Sequence, residues 1–205
     1  MKSSPGCLRC RAPKQIKRNT FDFETPLRWR EKKRIQVCPW SDFYLEQADE
    51  WRAEAWQIIR LTPWHVYYIT TKFPERIPSC LPPDWGEGWP HVRLGVSIEM
   101  HSFEWRAWRL LDIPASLRYL WTQPLLSYLE LRDVLATGEI GWVMCGGEHG
   151  PRYRPMRMEW ALDLRDQCLG TGVPFFFRGQ SAVVEGHQPW LVEPDGRRTI
   201  WLEVP

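Results

Sequence analysis

The sequence contains no apolar run approaching the roughly 18 residues that a membrane-spanning helix requires. Its N-terminal segment is basic and polar and lacks the apolar stretch of a secretory signal. It also lacks any large imbalance of charge, since 27 Lys and Arg against 25 Asp and Glu leave a net +2. That balance argues against a surface built throughout for polyanions and leaves room for a local basic patch. Without an export signal, the expected compartment is the reducing cytoplasm, where the six cysteines are poor candidates for disulfides.

What remains is the composition of an ordinary folded domain. At 205 residues, 43% of them hydrophobic and 25% charged, the chain is long enough for one sizeable core. Tryptophan is the unusual component, with 14 residues. Trp51, Trp56, Trp105, Trp108 and Trp160 lie in amphipathic contexts, so packing into helix–sheet seams is expected of most of them rather than a platform for stacking bases. Charge is uneven along the chain. Lys2, Arg9, Arg11, Lys14, Lys17, Arg18, Arg28, Arg30, Lys32, Lys33 and Arg34 face only Asp22, Glu24 and Glu31 in the first 34 residues.

Residues 1–32 read as a basic, cysteine-containing arm, 33–180 as the folded body and 181–205 as an extension packed on it. In the body, short apolar runs alternate with helical periodicity. Strands are expected at 34–38, 65–69, 92–96, 117–121, 140–145 and 173–177. Helices are expected at 47–61, 102–112 and 156–169, the last closed by Gly170 and Gly172, with loop over 73–90 and a last extended piece at 199–204. Nearly continuous apolar strands separated by crossovers imply a parallel sheet covered on both faces. The expected class is therefore α/β with about six parallel strands and helices outside. Periodicity alone leaves an incomplete (β/α) barrel and an open doubly wound sheet both standing.

In either arrangement ligands bind beyond the carboxyl ends of the strands. Each strand there runs into polar residues: Ser41 and Asp42, Thr71 and Lys72, Glu99, Gln123, Glu148, and Arg178 with Gln180. Turn chemistry explains any one of these. The whole set predicts a pocket, the plainer alternative being that Lys72 and Glu99 simply pair across its mouth. Gly146-Gly147-Glu148 allows a close backbone approach beside a carboxylate, as would any tight turn. Cys7-Leu-Arg-Cys10 has the spacing of a metal, cluster or redox pair but supplies only two thiolates.

Several segments, taken in order, resemble a radical-SAM-like family found in bacteria and their phages. They are Ser4-Pro-Gly-Cys-Leu-Arg-Cys10, Pro26-Leu-Arg-Trp29, Ser41-Asp42, Thr71-Lys72, Leu94-Gly-Val-Ser97 with Glu99, Gln123-Pro-Leu-Leu126, Gly146-Gly-Glu148, Arg154-Pro-Met156 and Gly172-Val-Pro-Phe-Phe-Phe177. The resemblance implies a partial (β/α) barrel and a [4Fe-4S] cluster that cleaves S-adenosylmethionine. It assigns Cys7 and Cys10 to the metal, and Ser41, Asp42, Gly146, Gly147 and Glu148 to the cofactor. Lys72, Glu99 and Gln123 fall on the substrate side. The family pattern has a further cysteine upstream of Cys7 and a first barrel strand, neither with a counterpart here. Arg11, Phe73, Thr122-Gln123 and Arg178-Gly-Gln180 also depart from it. A missing strand implies an open barrel edge, to be covered by the N-terminal arm or by a partner. The alternative expectation is a non-catalytic scaffold that contacts nucleic acid or a protein through the basic N-terminal segment.

Overall fold

A computed structural model describes Arg18, residues 23–182 and residues 190–202. Apolar β-rich runs form the strands: β1 Arg34–Val37, β2 Val66–Thr71, β3 Val92–Ser97, β4 Arg118–Thr122, β5 Ile140–Cys145 and β6 Phe175–Phe177. They pair in sequence order, every neighbour parallel, in a six-stranded sheet curled into a half-barrel with helices around it. Of the two arrangements left open above, the incomplete barrel is the one adopted.

The crossovers supply the outer layer. Helix α1, Asp49–Leu61, carries two acids in its first turn, where they suit the helix dipole. It buries Arg52, Trp56 and Ile59 at helical spacing, and the Thr62 hydroxyl donates back to the Ile58 carbonyl at 2.7 Å. The proline-rich connection that follows β2 contains a single helical turn, α2 Ile77–Cys80. Helix α3 spans Trp105–Leu111 and the short α4 spans Arg132–Ala136. Helix α5, Met158–Thr171, ends on Gly172 in the left-handed conformation, φ 71°. Its buried stripe includes Ala161, Leu164 and Cys168.

Alternation along each strand divides the apolar residues into two clusters. Tyr67, Ile69, Leu94, Val96, Leu120, Val143, Phe175 and Phe177 face the helices and form the main core. Tyr119, Trp142 and Met144, with Tyr68, Trp121 and Phe176 against them, form a second cluster on the inner face. The main core holds Trp56, Trp85 and Trp89 in mutual ring contact. Each of these indoles donates to a carbonyl, of Cys80, Pro114 and Asp84 respectively, as buried Trp requires. Trp105 and Trp108 depart from expectation: they are 45% and 48% exposed, because the buried stripe of α3 runs through Arg106, Ala107 and Leu110.

The sheet edges are treated differently. Beyond β6, the Phe177 N–H donates to the Trp201 carbonyl at 2.7 Å, and Leu202 bridges Phe176 antiparallel. The hairpin of β7 Trp190–Val192 and β8 Arg198–Ile200 is tied to α5 by an Arg165–Glu193 ion pair. The outer edge of β1 pairs with no strand among the described residues.

Gly95 sets the inner face. In register it lies between Thr70 and Tyr119, and the Tyr119 ring occupies the space its side chain would fill. The Tyr119 hydroxyl thereby reaches Thr70 Oγ1 at 2.6 Å, spanning β3. Gly95→Ala is expected to lower stability by about 1–3 kcal/mol through overpacking, read as a lower urea midpoint at unchanged slope.

Candidate functional site at the barrel mouth

The strand ends bring most of the expected polar residues into one layer. Asp42, just past β1, fastens two strand ends together. Its Oδ1 accepts from Thr71 Oγ1 at 2.7 Å and from the Tyr44 N–H at 2.9 Å, and its Oδ2 accepts from the Lys72 N–H at 2.8 Å. Burial pushes this carboxyl above its usual range while those three donors pull it back. Ser41 lies exposed beside it, with its N–H donating to the Cys38 carbonyl at 3.0 Å.

Lys72 and Glu99 form an ion pair across the ends of β2 and β3. Glu99 is fully buried, and its second oxygen lies 3.2 Å from Arg106 Nη1. The same nitrogen donates to the Ser97 carbonyl at 2.7 Å, and the guanidinium lies 4.1 Å from the Phe103 ring centre. A carboxylate this deep is tolerated because cations approach it from both sides. Sequence reasoning missed Arg106. Its signal was a cation on the apolar stripe of an amphipathic helix, where a charge must find a partner.

A second group sits at β4, β5 and β6. Gln123 donates from Nε2 to the Gly147 carbonyl and accepts from Arg178 Nη1, both at 3.1 Å. Arg178 lies 5.1 Å over the Trp121 ring. Glu148 is clasped by Arg154: Nε and Nη2 donate to its two oxygens at 2.8 and 2.7 Å, and the Arg154 N–H donates at 2.8 Å. That guanidinium holds the Glu148 carboxyl below its ordinary 4.5. Arg154 also feels the charge of Glu99, so the two groups share one electrostatic field.

The glycine pair before Glu148 does make a close approach, to the chain itself. The Gly147 N–H donates to the Gly179 carbonyl at 2.9 Å, and a Cβ on Gly147 would overlap the Ser181 backbone. Ser181 Oγ in turn accepts from the Met156 N–H and donates to the Arg154 carbonyl, both at 3.0 Å. The segment after β6 therefore straps down this corner.

Below the mouth the inner face is a chain of rings. Tyr68 contacts Tyr119 and Trp142 with centroids 5.8 Å away in each case, and Trp142 contacts Phe176 at 5.9 Å. Lys72, Glu99, Gln123, Glu148 and Asp42 thus all lie just past the carboxyl ends of the strands, beyond the ring cluster of the inner face. Cys7 and Cys10 lie outside the described residues.

The described cysteines do not converge on this mouth. Cys145 and Cys168 are buried in the main core, and burial pushes the Cys145 thiol up to about 12. Cys38 is exposed and Cys80 half-buried. Among the described residues no three His, Cys, Asp or Glu side chains are grouped to hold a metal ion. No helix among them is long and apolar enough to cross a membrane.

Residues 2–188 match the family described as a protein of unknown function (DUF5131), and the chain belongs to that family. No curated protein and no solved structure matches it.

Two outcomes follow from the charge pairing. Glu99→Ala leaves Arg106 and Lys72 without their carboxylate and should cost about 3–5 kcal/mol in urea unfolding, whereas Lys72→Met leaves Glu99 on Arg106 and should cost less. Because the folded Glu148 titrates below 4.5, its pairing stabilises fully above that pH and is lost as pH falls through the lowered value. The stability gap between the natural chain and Arg154→Met should therefore be widest above about pH 4.5 and narrow on acidification, which an acid titration of unfolding midpoints checks.

Proposed function

We propose that this member of the DUF5131 family is a radical-SAM-like iron–sulfur protein whose substrate and cofactor meet at the mouth of the half-barrel. The observation that carries the reading is the convergence of Lys72, Glu99, Gln123 and Glu148 at the carboxyl end of a curled parallel sheet. Ligand sites of (β/α) barrels lie at that end. The half-buried Lys72 and Arg178 would meet a carboxylate or another anionic group. The inner-face rings would meet a planar one. A cluster, where bound, supplies the electron that cleaves S-adenosylmethionine. The described residues do not themselves fit such a cluster, since they group no three ligands and Cys145 and Cys168 are buried in the main core. On this reading Cys7 and Cys10 supply two thiolates, and a further residue or a second chain supplies the third ligand.

A second reading has a specific observation in its favour. The Gly146-Gly147-Glu148 corner is filled by the chain's own residues 179–181 and by Arg154. A scaffold that has lost the radical chemistry, and that works by contact with nucleic acid or a protein, would have just such a closed corner.

Anaerobic reconstitution with iron and sulfide separates the two. The first reading expects about four irons per chain, visible absorption that disappears in Cys7→Ala and Cys10→Ala, and S-adenosylmethionine binding that perturbs the spectrum. Iron no higher than in the doubly substituted chain would sink it and leave the scaffold.

A further inference from the structure

The opposite end of the half-barrel carries a feature that none of the mouth residues explains. Where β2 and β3 begin, a depression of about 750 Å³ opens to solvent, lined in part by Lys32, Arg60, Trp64, Trp89, His91 and Arg93. Rings and cations alternate around it. The Trp89 and His91 rings lie nearly parallel and offset, with centroids 5.7 Å apart and planes 9° from parallel. Trp64 and Trp29 each meet the edge of His65, at 5.5 and 5.8 Å. Both indoles reach solvent, Trp29 with 37% of its surface and Trp64 with 46%.

The histidines here tie backbone segments together. His65 Nδ1 accepts from the Lys33 N–H at 3.1 Å, so its Nε2 carries the proton that faces the Pro26 carbonyl at 3.1 Å. That ring, fully buried, clamps the segment 26–33 onto the start of β2. His91 holds the Ile59 carbonyl at 3.0 Å, and burial lowers its affinity for a proton. The clamped segment reads Arg28-Trp29-Arg30-Glu31-Lys32, every one of these residues exposed.

Few carboxylates offset these cations. Glu31 is engaged by Lys33 at 2.8 Å, and Asp84 is engaged by Arg60, whose guanidinium lies 5.3 Å over the Trp89 ring. Arg93 is aimed by the Pro90 carbonyl and by Ser116 Oγ, at 2.8 and 2.7 Å. Arg28, Arg30 and Lys32 make no ion pair with any described residue.

We propose that this face binds single-stranded nucleic acid, with bases stacked on Trp29 and Trp64 and phosphates on Arg28, Arg30, Lys32 and Arg93. Exposed rings interleaved with cations that no described carboxylate neutralises are what a strand requires, since every base has a face to stack and every linkage a charge to neutralise. A protein interface core would be depleted of lysine, not built around it. A duplex conceals the faces of its bases and leaves the indoles without a role. The strands separate this face from the mouth by about 20 Å, so the assignment is independent of whether a cluster forms.

The test is fluorescence anisotropy of a labelled oligodeoxynucleotide of about 16 nucleotides, titrated with the full chain at several salt concentrations and repeated with the same sequence as a duplex. The single strand should bind more tightly than the duplex. Trp64→Ala and Trp29→Ala, both at exposed positions, should each weaken it roughly 5- to 100-fold at an unchanged urea midpoint. Lys32→Ala and Arg30→Ala should each lower the salt slope by about one contact. Equal affinity for the duplex, or indifference to both tryptophan substitutions, would reduce the surface to a non-specific basic patch and overturn the proposal. So would absence of binding at about 50 mM salt.

Discussion

A parallel sheet must bury both of its faces, and a half-barrel has helices for only one of them. Most of what distinguishes this chain follows from that constraint. The outer face takes the ordinary solution, with helices α1, α3 and α5 laid over Ile, Leu and Val. The inner face cannot be closed by a far wall, so it is closed by large rings that lie along the sheet. Tyr119 lies across Gly95 to reach Thr70, and Trp142 bridges Tyr68 and Phe176. An aliphatic inner face would need a second layer above it. Rings provide thickness from one layer, and their polar ends can still be satisfied at the rim.

The same geometry governs the polar groups. A closed barrel gathers its strand ends around a central axis, whereas a half-barrel lines them along an arc, and here neighbours along that arc neutralise one another. Asp42 ties β1 to β2, Lys72 and Arg106 neutralise Glu99 between β2 and β3, and Gln123, Arg178, Glu148 and Arg154 knit β4 to β6. Burying Glu99 is expensive, and pairing it offsets the cost only while both cations stay in place. The rigidity that results is what a binding mouth needs, because side chains held in this way are already oriented before any ligand arrives.

Much of this was legible in the sequence, and the misses have physical reasons. The strand–helix rhythm survives folding nearly unchanged because long apolar runs and helical stripes are dominated by burial. Lys72 and Glu99 could be read as a pair, since each directly follows a strand and neighbouring parallel strands end side by side. Gly146-Gly147 suggests a close backbone approach to a ligand or a tight turn, and in the structure the close neighbour is the chain's own Gly179 to Ser181. The amphipathic context of Trp105 and Trp108 suggests packing, but the phase of α3 turns Arg106, Ala107 and Leu110 inward instead. Helix α4, with five residues, is too short to show a period. The β7–β8 hairpin had a signal in Asp195-Gly196, where φ 84° at Gly196 makes the turn, but its strands are too short to alternate visibly.

The two ends of the sheet are built on opposite principles, and that contrast bears on function more than any single residue does. At the carboxyl end, cations and carboxylates are cross-linked in pairs, so much of their field cancels at a distance. At the amino end, Arg28, Arg30 and Lys32 remain exposed with few opposing charges, so their field extends into solvent over about a Debye length. A field of that kind attracts a long polyanion before contact and tolerates many sequences along it. The exposed indoles then act only at contact range.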